Sequence, residues 1–131
     1  MLTGGVHLLI DGQLSQPLSM TRLSSFLRHF PAYIHMHRFT DPMVYSVLGG
    51  CAGIVGIAES HIAIHVTGDL VWVDVFSCKD FDTERAAAAI QCLLRMSLCH
   101  TRVLARPMQE GGLTLNPSPY PRQYEPASMA Q

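Results

Sequence analysis

The sequence predicts an α+β fold, a two-layer sandwich in which two helices lie on one face of a largely antiparallel sheet. Three observations carry this. Apolar patterning runs strand, helix, several strands, helix, strand along the chain. Two of the central strand-like runs flank Thr67-Gly68-Asp69, a connection short enough to be a hairpin turn. Two further segments carry helical rather than alternating spacing.

In chain order, V-H-L-L-I-D at 6–11 is short and apolar, and Asp11-Gly12 closes it like a turn, which reads as a strand. Over 19–30, Leu23, Phe26, Leu27 and Phe30 recur at helical spacing, with Ser19 or Thr21 as N-cap and Pro31 as the stop. Residues 33–37 alternate as a strand can, and Thr40-Asp41-Pro42 marks a loop. Three strands are expected over 52–58, 61–66 and 70–76. In the middle one Ile62 and Ile64 share one face, and His61, Ala63 and His65 share the other. Asp82-Thr83-Glu84 opens a helix expected to run to about Leu98, with alanines at 86–89 supplying propensity and acidic residues at its positive end. Residues 100–106 read as the final strand. From Gln109 onward Gly, Pro, Ser and Asn dominate, so 1–107 is expected to form the domain and 108–131 a flexible Pro/Gly-rich tail.

Composition narrows the function. A chain of 131 residues is one domain's worth. Nine basic against ten acidic side chains leave no electrostatic footprint for nucleic acid. No apolar run approaches the ~20 residues of a membrane span, and no basic segment followed by an apolar one opens the chain. The four cysteines form no C-x-x-C pair and read as reduced thiols of a cytoplasmic protein. Hydrophobic residues make up 48%, and a sheet with helices on one face leaves the other to be covered, so a partner subunit is expected there. Lys79 is the only lysine, in a polar K-D-F-D stretch with no phosphate-binding glycine loop near it. A pyridoxal-phosphate enzyme is disfavoured, and a carbonyl for amine chemistry has to come from elsewhere.

Several residues are candidates for chemistry. On spacing alone Ser60 and His61 simply begin a strand; a Ser-His-Asp hydrolase with Asp74 as orienting acid lacks a G-x-S-x-G elbow. Cys78, at a strand end beside the start of a helix, reads either as an acid–base or nucleophilic group or as a small buried hydrophobe. His35 and His37 on one strand face and His61 and His65 on another raise a metal reading, but no carboxylate or cysteine stands at ligand spacing and no metal is expected.

Taken together, G-G-V-H-L-L-I-D at 4–11, H-R-F at 37–39, A-E-S-H-I-A-I-H at 58–65 and V-D-V-F-S-C at 73–78 resemble the bacterial and archaeal S-adenosylmethionine decarboxylase family, over about residues 4–107. The E-S-H-x-x-I-H block followed by D-V-F-x-C carries most of the specificity. The resemblance implies a carboxy-lyase of polyamine biosynthesis that supplies aminopropyl groups for spermidine, made as a proenzyme that cleaves itself between Glu59 and Ser60. Ser60 would become a pyruvoyl group that forms a Schiff base with the substrate's α-amine and acts as electron sink. By the same resemblance His65 is the processing base, Cys78 the proton donor after decarboxylation, Glu59 the residue left at the cleavage point, and Phe39 and Asp69 substrate-binding residues. The family fold is the same two-layer sandwich, and the implied assembly is a homodimer of cleaved αβ protomers whose active sites draw on both.

The chain also departs from the family. H-T-W-P-E usually follows the second histidine position, whereas here His65 leads into V-T-G-D: Thr67 stands for the tryptophan and Asp69 for the ribose-binding glutamate, on a hairpin about two residues shorter. The loop after Phe39 is longer, and Ala52 stands where relatives carry a hydroxyl residue that assists processing. Processing and electron-sink residues are thus retained while the nucleoside pocket is altered. That pattern leaves two alternatives beside S-adenosylmethionine: decarboxylation of arginine or ornithine, with Asp69 pairing a guanidinium or ammonium group, or an unprocessed, non-catalytic homologue.

Overall fold

The computed structural model describes residues 3–58 and 60–107. Its elements run β1 (Thr3–Leu14), α1 (Met20–Tyr33), β2 (Met43–Val47), β3 (Gly50–Ile57), β4 (Ser60–Thr67), β5 (Leu70–Ser77), α2 (Thr83–Leu93) and β6 (Met96–Pro107). The strands form a six-stranded sheet in the order β2-β3-β4-β5-β1-β6, with every neighbouring pair antiparallel. The α+β sandwich expected from the patterning is the fold.

Alternation decides which way each strand faces. Leu8 and Ile10 of β1, Ile62, Ile64 and Val66 of β4, and Val71, Val73 and Val75 of β5 are all buried on the helix side. Leu23, Leu27 and Phe30 of α1 pack over β2 and β3, and Ala86, Ile90 and Leu94 pack from the α2 side, over β1 and β6. Ser19 caps α1 by accepting from the Arg22 N–H at 3.1 Å, and Asp82 caps α2 by accepting from the Arg85 N–H at 3.0 Å. Gly53 lets α1 seat closely on β3: a Cβ there would stand 2.7 Å from a Leu27 methyl. The hairpin joining β4 to β5 turns through Gly68 and Asp69, with Gly68 in the left-handed region at φ 60°.

Five features differ from the sequence reading, the first being that Asp11-Gly12 is no turn: β1 runs on to Leu14, with Asp11 opposite Trp72 and Gly12 opposite Val71. Pro31 lies inside α1 instead of ending it, because in the last turn a missing N–H forfeits only one helical hydrogen bond. Residues 33–37 are not a strand: the Ile34 and Met36 N–H groups both return to the Pro31 carbonyl (3.2 and 2.9 Å), and His35 turns the chain at φ 60°. β2 forms within what reads as a loop; as an edge strand with Met43 and Tyr45 exposed, it lacks a clean burial alternation. α2 ends at Leu93 because Arg95 adopts φ 57° and its N–H donates back to the Cys92 carbonyl at 3.2 Å, so that Leu98, which extends the helical pattern on paper, belongs to β6. The tail expected at 108–131 and Glu59 lie outside the described residues.

Candidate active site

Ser60 is the first residue of β4, facing Ser77 at the end of β5. Its hydroxyl accepts a hydrogen bond from the Cys78 N–H at 3.2 Å. The two residues are 18 apart in sequence, and the register of a tight hairpin brings them side by side. Ser77 is buried, its hydroxyl donating to the Lys79 carbonyl (2.7 Å) and accepting from the Lys79 N–H (2.9 Å). That local loop bends the chain away from the sheet and leaves the free thiol of Cys78 exposed. Cys51 is the contrast: buried on the helix side, its thiol points at the Leu18 carbonyl, and burial pushes its pKa up.

His65 does not join Ser60 within the protomer. Five residues of extended chain separate them, roughly 17 Å at strand rise, and an odd spacing puts their side chains on opposite faces. His65 is exposed on the helix-free face, between Ala52 and Trp72 in the register, with its ring centroid 5.8 Å from that of Trp72.

Three of the rows of side chains that cross that face surround the depression and its neighbours. The first runs Tyr45, Ala52, His65, Trp72, Asp11 and His100, one residue per strand. The second carries Met43, Ile54, Ala63, Asp74, Leu9 and Arg102, and the third His61, Phe76, His7 and Leu104. Small Ala52 and Ala63 between larger neighbours leave a shallow depression of about 410 Å³ walled by Tyr45, Ile54, His65, Trp72 and Asp74. In the third row Phe76 has His61 and His7 at 5.8 and 5.9 Å, and the Arg106 guanidinium over its ring at 5.7 Å.

Phe39 is 80% exposed, held beside β3 by its N–H donating to the Gly56 carbonyl at 2.7 Å. Thr40 accepts from the Gly56 N–H at 2.9 Å, and Asp41 accepts from Arg38 (2.8 Å) and Arg28 (3.4 Å). Those two guanidiniums, the Arg38 hydrogen bond foremost, hold the Asp41 carboxyl below its ordinary pKa. Asp69 is exposed on the β4–β5 turn and accepts from the Gln13 side-chain amide at 2.7 Å.

Two arrangements weighed from the sequence can be placed, and the pairing of His35 with His37 on one strand is corrected. Asp74 bonds His7, not His61 or His65, so no Ser-His-Asp relay forms around Ser60. His35 sits on the turn after α1 and is no strand partner of His37, and among the described residues no three His, Cys, Asp or Glu side chains gather as metal ligands. The His7–Asp74 pair, Trp72 and Tyr45 are site neighbours that motif spacing did not single out; the register implied by the Gly68-Asp69 hairpin was the available signal for Trp72. No helix of the described residues is long and apolar enough to cross a membrane.

Fold and site together define an α+β sandwich with a serine–cysteine pair where two antiparallel strands begin and end, and a histidine at the far end of the serine's strand. The sequence profile of the S-adenosylmethionine decarboxylase family matches residues 7–107, and the chain belongs to that family of decarboxylases. The crystal structure of the adenosylmethionine decarboxylase from Aquifex aeolicus has the same fold, with a TM-score of 0.67, 23% identity, and coverage of 88% of this chain and 100% of that one. No curated protein matches the sequence.

Proposed function

We propose that the chain is a pyruvoyl-dependent decarboxylase that cleaves itself between Glu59 and Ser60 and then decarboxylates S-adenosylmethionine, supplying aminopropyl groups for spermidine synthesis in the cytoplasm. The observation that carries this reading is the hydrogen bond from the Cys78 N–H to the Ser60 hydroxyl. It sets the residue that would become the ketone beside a solvent-accessible thiol.

The surroundings suit such a group. Ser60 opens β4, is partly exposed, and stands between Ile57 on one side of the register and the small Ser77 on the other. A pyruvoyl ketone made there supplies the electron sink for loss of CO₂. Cys78 is the acid that returns a proton to the carbon left behind. Phe39, exposed and fixed at its backbone, offers a face for the adenine, and Asp69 a carboxylate for the ribose hydroxyls.

The separation of His65 from Ser60 argues for a dimer. Met43, Tyr45, Ile54, Leu70, Trp72, Leu98 and Leu104 are exposed large hydrophobics on the helix-free strands' outward faces. A two-fold pairing of two such faces would lay the His65 end of one protomer over the Ser60 end of its partner, so that each site uses both. A second substrate reading has its own support. Asp69 is tied to Gln13 on a short turn, which limits its reach to two ribose hydroxyls and suits a single guanidinium or ammonium group, as in arginine or ornithine.

Intact-mass measurement on freshly purified protein tests the reading. Two chains parting between Glu59 and Ser60, the larger blocked by pyruvoyl, together with CO₂ release from S-adenosylmethionine, is the expected result. A single chain that stays uncut overturns it in favour of a non-catalytic homologue. Cleaved protein that turns over arginine or ornithine alone corrects the substrate.

A further inference from the structure

Alternation along β5 buries Val71, Val73 and Val75 and calls for an aliphatic side chain at 77, yet the residue there is serine. Among the described residues it is the only fully buried polar side chain. A buried hydroxyl costs desolvation that its hydrogen bonds little more than offset, so packing gives no reason for it. Neither of its bonds ties strand to strand. The hydroxyl donates to the Lys79 carbonyl at 2.7 Å and accepts from the Lys79 N–H at 2.9 Å, so both bonds close around Cys78.

This staple has a rigid base. Ser77 ends β5 and is paired on both sides, with Ser60 of β4 and Val6 of β1. β1 presses so near that a Cβ on Gly5 would stand 2.7 Å from the Ser77 carbonyl oxygen. Cys78 is the first residue beyond these ladders, and its N–H goes to the Ser60 hydroxyl at 3.2 Å. A pyruvoyl group carries a methyl where serine carries its hydroxymethyl, so conversion of Ser60 deletes that acceptor. The bonds of Ser77 then remain to hold the segment.

We propose that Ser77 is a positioning residue of the decarboxylation, its hydroxyl keeping Cys78 in place once Ser60 has become the ketone. This rests on the reading above, in which Cys78 is the proton donor. In that step the Sγ–H bond breaks, the electron pair left by CO₂ takes the proton to form a C–H bond on the substrate carbon, and sulfur keeps its own pair as thiolate. A thiol held out of line leaves a proton to be added instead at the carbon of the former ketone. Water then releases the substrate as an aldehyde, and the substrate's nitrogen stays on residue 60 as alanine. A misplacement of about 1 Å can cost on the order of 10²-fold in such a step.

The test compares wild type with Ser77→Thr and Ser77→Val, which match in volume and differ by a hydroxyl against a methyl, so that both share any cost of the larger side chain. Cleavage of the full chain is read by intact mass. kcat and KM are measured for CO₂ release from whichever of S-adenosylmethionine, arginine or ornithine wild type turns over. Edman degradation counts the alanine formed per CO₂ at the N-terminus that begins with residue 60. Ser77→Val is expected to cut as Ser77→Thr does, because before cleavage the Ser60 hydroxyl still holds the Cys78 N–H. It should then show kcat lower by on the order of 10²-fold, KM little changed, and more alanine per CO₂, while Ser77→Thr keeps the wild-type partition. Equal turnover of the two variants overturns the proposal, as does a slow Ser77→Val with an unchanged alanine fraction. A Ser77→Val that fails to fold or cut where Ser77→Thr succeeds overturns it too, since the hydroxyl then serves the fold or the processing. If neither larger variant folds, Ser77→Ala decides by the same readings. In each of those cases wild type still cuts and releases CO₂, and the decarboxylase reading stands; a wild type that does neither overturns both.

Discussion

His7 and Asp74 lie 67 residues apart in sequence and meet across neighbouring strands, the imidazole Nε2 bonded to a carboxylate oxygen of Asp74. The Arg106 guanidinium reaches the other ring nitrogen, Nδ1, at 3.5 Å. Since a guanidinium only donates, Nδ1 must accept, and the proton of the neutral ring belongs on Nε2, facing the carboxylate. Two charged side chains thus fix one tautomer beside Phe76.

Removing the imidazole leaves Asp74 and Arg106 without their common partner. His7→Ala is expected to destabilise the fold by about 1–2 kcal/mol, the range for a hydrogen bond to a charged group discounted for partial exposure. Urea unfolding measures it; a change below a few tenths would mean the pair is not formed in solution.

A site shared between protomers makes a sharper claim. Ser60→Ala and His65→Ala chains are each expected to remain uncut alone. Mixed by refolding together, they should yield cleaved His65→Ala chain, because that chain keeps Ser60 and meets an intact His65 in its partner. Intact-mass measurement after mixing decides, and a mixture that stays wholly uncut removes the shared-site arrangement.

The cysteines should separate by reactivity. Cys51 is buried and its thiol is held protonated by desolvation, so iodoacetamide at neutral pH is expected to spare it in the folded protein. Cys78 is exposed and should be modified, with loss of turnover tracking modification of its peptide rather than of Cys92 or Cys99. Turnover that survives full alkylation of Cys78 excludes it as the proton donor.

Asp41 gives a pH dependence with a definite sign. Its folded pKa is lowered by Arg38 and Arg28, so the tie it provides is fully present above the ordinary carboxylate range and is lost as pH falls through the lowered value. The amide resonances of Thr40 and Gly56 should therefore inflect below the pH at which an unpaired aspartate titrates, and Asp41→Asn should abolish the inflection. If Phe39 stacks on substrate, the same variant raises KM with little change in kcat. An inflection at or above the ordinary aspartate value contradicts the pairing.

Much of this geometry was legible in the chain. Strict alternation in 61–66 and 70–76 reports one buried face, and Gly68-Asp69 between them fixes which residues stand opposite, Ser60 against Ser77 and His65 against Trp72. The His65–Ser60 separation follows from the same alternation. What did not show was set by long-range contact or by backbone angle. β2 has little burial to impose a period, and its pairing with β3 decides that Tyr45 lies beside Ala52. Arg95 looks helical by side chain, and only its left-handed φ separates α2 from β6. The His7–Asp74 bond needs β1 to insert next to β5, which no local pattern announces.

That insertion has a mechanical consequence. A cut between 59 and 60 divides the strands into β1, β2, β3 on one piece and β4, β5, β6 on the other, yet the sheet order places β1 between β5 and β6. The shorter piece is laced through the longer one: parting them means unzipping both long ladders of β1 as well as the β3–β4 seam. The severed protein should accordingly migrate as one body in every non-denaturing separation and melt in one cooperative event, the two polypeptides behaving as a single spliced sheet whose missing covalent link carries no load.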